Sequence, residues 1–309
     1  MTPELFPATL PIRETVGGTV SGRGWLDRLP ERVANLTTRW ELRLSAPFSG
    51  GSCSWVAPAH LPDGASVVLK LSWPHREAAG EAEALRLWDG NRAVRLLRAD
   101  PQQHALLLER CDPGQPLGSA HHLSAEERLL IAAGILGKLW QTPVPARSNL
   151  ERLSDVTAEW ADRVQARMQQ LRPGFDPSLV AHGITLLREL PASASRTVIV
   201  HGDFNPANIV SSRRGWLALD PKPMIGDPAY DPWPLLELLD DPFRHANPPA
   251  VLAERFALLA TTLGIDVERL QAWGLARRVE TALDVAAAGR SGSHNVLAEA
   301  RVLADLLGI

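Results

Sequence analysis

The run His201-Gly202-Asp203-Phe204-Asn205-Pro206-Ala207-Asn208 sets a carboxylate and, five residues on, a carboxamide in one short segment, and Asp220 ends an apolar run twelve residues after the amide. Phosphoryl transfer from Mg-ATP needs this set of groups. One carboxylate accepts or orients the acceptor hydroxyl, while an amide oxygen and a second carboxylate offer hard oxygen ligands to Mg²⁺. Asp203 and Asn208 taken singly also fit loop capping, a common use of both residue types. Capping does not account for a matched Asp220.

The elements that must position these groups are short strands. Thr197-Val198-Ile199-Val200 is a β-branched run that delivers His201 and Asp203 to its carboxyl end. Ile209-Val210 and Trp216-Leu217-Ala218-Leu219 flank the polar turn 211–215, and a hairpin there brings Asn208 beside Asp220.

A chain of this chemistry also needs a nucleotide-binding lobe, and residues 1–110 are expected to supply it. Arg39 to Leu44 alternates as a strand, and Phe48 to Val56 passes through a small-residue turn into another. Gly50, Gly51 and Ser52 would let main-chain N–H groups approach phosphates, although a plain hairpin turn has the same composition. Lys70 interrupts the apolar strand Ser66 to Leu71. It is either an edge lysine facing solvent or a buried cation that meets phosphates and a helix glutamate. Residues 75–88 form the helix that would supply the partner. Glu81 shares a face with Leu85 and Trp88 and is preferred to Glu77 and Glu83. Ala93 to Leu97 and Ala105 to Arg110 bring the antiparallel sheet to five strands, and Asp112-Pro113-Gly114 breaks the pattern where the lobes would hinge.

Residues 111–309 read as helices around the small hairpin. Ser124 with Glu127 has capping-box spacing, Asp176-Pro177 opens a further helix, and helical segments follow near 235–239, 250–263, 267–287 and 293–307.

The His-Gly-Asp-x4-Asn loop with its following Asp resembles the aminoglycoside phosphotransferase family. Leu219 to Asp231 is similar to its streptomycin 6-kinase and hydroxyurea-resistance kinase branch. The likeness runs from about Trp40 to the C-terminus. It implies an α+β, protein-kinase-like, two-lobed fold: a small lobe with a five-stranded antiparallel sheet and one helix, and a larger, mostly helical lobe. It further implies ATP and Mg²⁺ as cofactors, Asp203 as catalytic base, Asn208 and Asp220 as metal ligands, and main-chain recognition of adenine at Glu109 and Cys111. Pro223 stands where some members of the branch have glycine, which restricts the loop behind the metal.

The implied reaction is transfer of the ATP γ-phosphate to an aminoglycoside hydroxyl, with streptomycin 6-phosphorylation first. Hydroxyurea or another small metabolite is the alternative acceptor, and a nucleotide-binding regulatory protein without turnover is the second alternative. A polycationic acceptor calls for carboxylates near the transferred phosphate. Asp231, Glu237, Asp240 and Asp241 are the candidates, with Glu280 and Asp284 as a further pair; each also fits an ordinary solvated helix face. Asp227 belongs to the same acidic run and, in Gly-Asp-Pro, also fits a structural turn.

Composition bounds the rest. The 309 residues suit two lobes, and a net charge of −3 gives no basic field for nucleic acid or anionic lipid. No run approaches the ~18 apolar residues of a membrane span. Residues 1–22 lack a signal-peptide core and read as a short leading extension docked on the small lobe. Cys53 and Cys111 have no metal or disulfide spacing, so a reducing, cytoplasmic location is the default. His201 is expected to orient or pack rather than take the proton, and most of the ten tryptophans to pack in cores. Oligomeric state is left open.

Overall fold

The computed structural model describes residues 4–309, which divide into two compact units, Met1–Gly114 and Gln115–Ile309. The division falls in the Asp112-Pro113-Gly114 stretch, slightly later than the 110/111 boundary expected from sequence.

The first unit is built on an antiparallel sheet of β1 (Arg43–Leu44), β2 (Ser54–His60), β3 (Ser66–Ser72), β4 (Leu96–Asp100) and β5 (Ala105–Glu109), in the order β1-β2-β3-β5-β4. Strand side chains alternate between faces. One face therefore collects Trp55, Ala57, Ala59, Val67, Leu69, Leu71, Ala105 and Leu107, all buried. That face is covered by two helices, α1 (Pro11–Gly17) and α2 (Val20–Arg39), through Ile12, Val16, Trp25, Leu29, Val33 and Leu36. The leading extension expected over residues 1–22 docks on this lobe as expected, but as helix; Arg39, expected in a strand, ends α2, and the lobe holds more than the single helix expected. Gly22, Gly24 and Pro30 all lie inside α2 and argue locally against a helix. The apolar stripe at spacings of three and four residues overrides them by burial against the sheet.

Lys70 lies on the opposite face, register-paired with Val56 and Leu106. There it meets α3 (Glu81–Trp88). The helix expected over 75–88 is shorter than predicted: residues 76–78 form a single 3-10 turn, and the helix begins at Glu81.

The second unit is mostly helical: α4 (Ala125–Leu139), α5 (Leu153–Leu171), α6 (Pro177–Ala192), α7 (Pro232–Leu238), α8 (Pro248–Leu263), α9 (Val267–Ala287) and α10 (Ser293–Leu307). The caps read from sequence are present. Ser124 accepts from the Glu127 N–H while Glu127 accepts from the Ser124 N–H, and Asp176 accepts from Ser178 and Leu179. Helix α9 is buried over most of its surface and packs against α5, α6 and α10. Between the helices sit a three-stranded sheet of β6 (Glu151–Arg152), β10 (Met224–Gly226) and β7 (Val198–Val200), and the hairpin β8 (Ile209–Ser212) and β9 (Gly215–Ala218). No helix among the described residues is long and apolar enough to cross a membrane. Trp25, Trp40, Trp55, Trp88, Trp140, Trp233 and Trp273 are buried, as a packing role requires.

Candidate active site

β7 ends at Val200, and its pairing with β10 holds the start of the 201–208 loop against the segment that follows Asp220. The Lys222 N–H donates to the His201 carbonyl at 2.8 Å. Gly202 has φ +82°, and a Cβ there would sit 1.9 Å from the Lys222 carbonyl oxygen, so the close approach of the two segments admits only glycine. His201 is fully buried, and desolvation pushes its pKa down to about 3. The neutral ring fits its surroundings: Nε2 lies 3.1 Å from the Leu219 carbonyl, and Nδ1 accepts from the Asp203 N–H at 3.4 Å. His201, neutral and engaged at both ring nitrogens, thus orients the loop.

Asp203 is half-buried and aligned by two amides. Asn205 Nδ2 donates to Oδ1 at 2.9 Å, and Asn208 Nδ2 donates to Oδ2 at 3.1 Å and to the Asp203 carbonyl at 3.0 Å. Burial raises its pKa above the ordinary carboxylate value, opposed by these hydrogen bonds and by Lys222. The Asn205 oxygen is occupied by the N–H groups of Ala207 and Asn208. Asn208 is different. Its nitrogen is spent on Asp203, which fixes the amide orientation and turns its oxygen outward from that pair.

The hairpin β8–β9 supplies the other acid. Ile209 pairs with Ala218, and the Leu219 N–H donates to the Asn208 carbonyl at 2.9 Å, so Asn208 and Asp220 emerge side by side. Asp220 has a left-handed φ of 55°, and its Oδ1 lies 3.1 Å from Lys222 Nζ. An amide oxygen and a carboxylate in adjacent positions are a donor set that suits a hard divalent cation.

In the first unit, Lys70 Nζ lies 2.7 Å from both Glu81 oxygens, and the two residues are 5% and 2% exposed. Lys70 is therefore buried against the helix glutamate and does not face solvent. Glu77 is exposed and Glu83 half-buried. Gly50, Gly51 and Ser52 form an exposed turn before β2; it is closed by the Phe48 N–H donating to Val56 at 2.9 Å, and Gly51 has φ +97°. Glu109 ends β5 and exchanges bonds with Arg95 through its N–H and its carboxylate, both at 2.9 Å. Cys111 follows as a half-buried thiol.

The acids expected to gather a cationic acceptor have other partners. Asp231 is fully buried and accepts from the His201 N–H (2.9 Å), the Gly202 N–H (2.8 Å) and Trp140 Nε1 (2.9 Å). It buttresses the loop from behind and cannot be an acceptor ligand. Desolvation pushes its pKa up to about 6. Asp240 is ion-paired with the buried Arg128, and Glu237 with Arg278. Asp241 is exposed and caps a 3-10 turn by accepting from Phe243 at 3.1 Å. Asp227, read as structural, accepts from Ala229, from Arg269 Nε at 2.8 Å and from Trp273 Nε1 at 2.7 Å. The role of Asp231 was missed because its partners are main-chain groups thirty residues away. Its place after a 3-10 turn at the start of α7 was the available signal.

Solved structures with this fold include a choline kinase from Streptococcus pneumoniae, with a TM-score of 0.63 at 14% identity over 89% of this chain and 99% of that one. An aminoglycoside 2'-phosphotransferase in complex with GDP also has a TM-score of 0.63 at 14% identity, over 88% and 97% of the chains. The fold is that of the protein-kinase-like small-molecule phosphotransferases.

Residues 39–289 match the aminoglycoside/hydroxyurea antibiotic resistance kinase family, and the chain belongs to it as a phosphotransferase. A hydroxyurea phosphotransferase from Kitasatospora aureofaciens is 36% identical over 90% of this chain and 79% of its own. A streptomycin 6-kinase from Streptomyces glaucescens is 34% identical over 85% of this chain and 84% of its own, and one from Streptomyces griseus is 32% identical over 86% of each.

Proposed function

We propose that the protein is an ATP- and Mg²⁺-dependent kinase that phosphorylates a hydroxyl of an aminoglycoside, streptomycin at its 6-position being the first candidate. The observation that carries this reading is the fixed amide of Asn208. Its nitrogen aligns Asp203, while its main chain pairs with Leu219, the residue before Asp220, so one residue links the base to the proposed metal ligands. Asp203 orients the acceptor hydroxyl and takes its proton as the oxygen bonds to the γ-phosphorus and the bond to ADP breaks. Asn208 and Asp220 would hold Mg²⁺, which when bound neutralises charge on the phosphates. Lys70, held by Glu81, binds phosphate oxygens. The turn Gly50–Ser52 covers the phosphates with main-chain N–H groups, and the main chain at Glu109 and Cys111 meets adenine. The amicoumacin kinase structure with AMP-PNP and Ca²⁺, 13% identical with a TM-score of 0.59, makes an adenine nucleotide a reasonable choice. A cytoplasmic location belongs to the same proposal.

Hydroxyurea is the second reading, favoured by the 36% identical hydroxyurea phosphotransferase and by the prior commitments of Asp231, Glu237 and Asp240. ATP consumption with streptomycin, other aminoglycosides, hydroxyurea and simple alcohols separates the readings. Asp203→Asn should lower kcat with the preferred acceptor by about 10²-fold or more while leaving ATP binding near wild type. Near-normal turnover in that variant would overturn the assignment.

A further inference from the structure

Lys222 follows Asp220 in the run Asp220-Pro221-Lys222-Pro223, with a proline on each side restricting the chain. Its main chain is fastened to the 201–208 loop. The N–H donates to His201 at 2.8 Å, and the carbonyl oxygen occupies the space that a Cβ on Gly202 would need. From this fixed base the side chain, 22% exposed, carries Nζ to 3.1 Å from Asp220 Oδ1. A long flexible side chain loses rotamer freedom when it is held in this way, and an ion pair in open solvent does not by itself repay that loss. The charge balance supplies the reason. The segment fastened to the Asp203 loop at His201 brings a second carboxylate, Asp220, and Lys222 is a cation held against it.

We propose that Lys222 is a built-in counter-ion of Asp220: it is held against that carboxylate and competes with a divalent cation for it, helping to set the cation concentration at which the site fills. The proposal rests on the assignment of Asp220 as a metal ligand made above. Lysine suits the task, because a single tethered ammonium neutralises the carboxylate without closing the oxygen-rich position and can withdraw along its own stem.

The test uses the full chain without nucleotide and Mn²⁺ alone as probe, with free Mn²⁺ followed by electron paramagnetic resonance. Lys222→Met should bind Mn²⁺ about tenfold more tightly than wild type, and Lys222→Arg, which keeps the charge, should stay within about twofold. Melting provides the second readout. Lys222→Met should melt below wild type in EDTA and recover most of that difference in saturating Mn²⁺, whereas a purely structural role would lower both temperatures equally. Unchanged or weaker Mn²⁺ binding in Lys222→Met, or an equal loss of stability with and without Mn²⁺, overturns the proposal. Lys222→Gln carries the same comparison if the methionine variant does not fold. Asp220→Asn separates the two levels: if it leaves Mn²⁺ binding intact, the metal assignment itself fails. If it abolishes binding while Lys222→Met changes nothing, only the counter-ion role fails.

Discussion

Asp231→Asn is the perturbation whose outcome the geometry constrains most closely. The carboxylate is fully buried and accepts three N–H bonds, two from the loop main chain at His201 and Gly202 and one from Trp140. Burial moves its pKa from 3.8 to about 6. Between these values the folded protein holds a proton that the unfolded chain does not, so this group's contribution to stability falls as pH rises through the window. A shift of this size corresponds to ~3 kcal/mol across the window, complete above the folded value. Asparagine removes that slope. It also places an NH₂ where an oxygen stood. The amide oxygen can still serve the two donors now on Oδ2, which leaves the Gly202 N–H facing a donor at a cost of about 1–3 kcal/mol. Relief of the buried charge offsets much of this at pH 7.5 and none of it at pH 4.5. Urea unfolding followed by tryptophan fluorescence from pH 4.5 to 7.5, which crosses only the part of the window between 4.5 and about 6, should therefore show the wild-type advantage shrinking by ~2 kcal/mol as pH rises. Because Gly202 adjoins Asp203, kcat should fall by about 10–100-fold with little change in KM for ATP. Parallel pH-stability curves, or wild-type kcat with a displaced Gly202 amide resonance, would refute the buttress reasoning.

Lys70→Ala leaves the buried Glu81 carboxylate without the cation that now sits 2.7 Å from it, and should cost about 3–5 kcal/mol while weakening ATP binding; melting and nucleotide titration check both. Gly202→Ala forces a positive φ and a clash with the Lys222 carbonyl, so activity per folded molecule should drop to background, as measured on the soluble fraction. Trp25→Ala empties the face that α2 lays on the first sheet and should cost about 3–5 kcal/mol by denaturant titration while sparing kcat in the fraction that stays folded. Asp203 keeps a raised pKa, so the acid limb of kcat/KM should lie above the ordinary aspartate range near 3.9 and disappear in Asp203→Asn.

Much of this was legible in the sequence where a local rule and the tertiary outcome agree. Strand alternation puts Lys70 on the face opposite Leu69 and Leu71, and the helix that follows carries Glu81 at its first turn. The hairpin from Ile209 to Ala218 follows from two short apolar runs about a polar turn, and it alone brings Asn208 beside Asp220. The failures lie where distant partners override local propensity. α2 contains two glycines and an internal proline, and no window of its own sequence announces a twenty-residue helix. Its Trp25-Leu29-Val33-Leu36 stripe has meaning only once the sheet offers an apolar face. β6 and β10 are too short to declare themselves, and they exist because Met224 pairs with Glu151 on one side and Val200 on the other.

The acids after the hairpin show how composition misleads about charge. Counted along the chain, Asp227, Asp231, Glu237 and Asp240 look like a field prepared for a polycation. In the fold, Asp227 is matched by Arg269, Glu237 by Arg278 and Asp240 by Arg128, while Asp231 is saturated by N–H donors. A carboxylate already paired with an arginine adds little to the potential felt by a third charge, because the pair presents a dipole rather than a net charge. These four residues therefore give no preference for a cationic acceptor over a neutral one. Glu280 is the next carboxylate to test: it is only 6% exposed, Arg163 lies 3.8 Å from it, and its charge also favours the charged forms of Arg277 and Arg167. Glu280→Gln should raise KM for streptomycin by about tenfold and leave KM for hydroxyurea unchanged if the acceptor's cation reaches α9. Equal shifts for both acceptors would place Glu280 in the framework and remove it as an argument for a polycation.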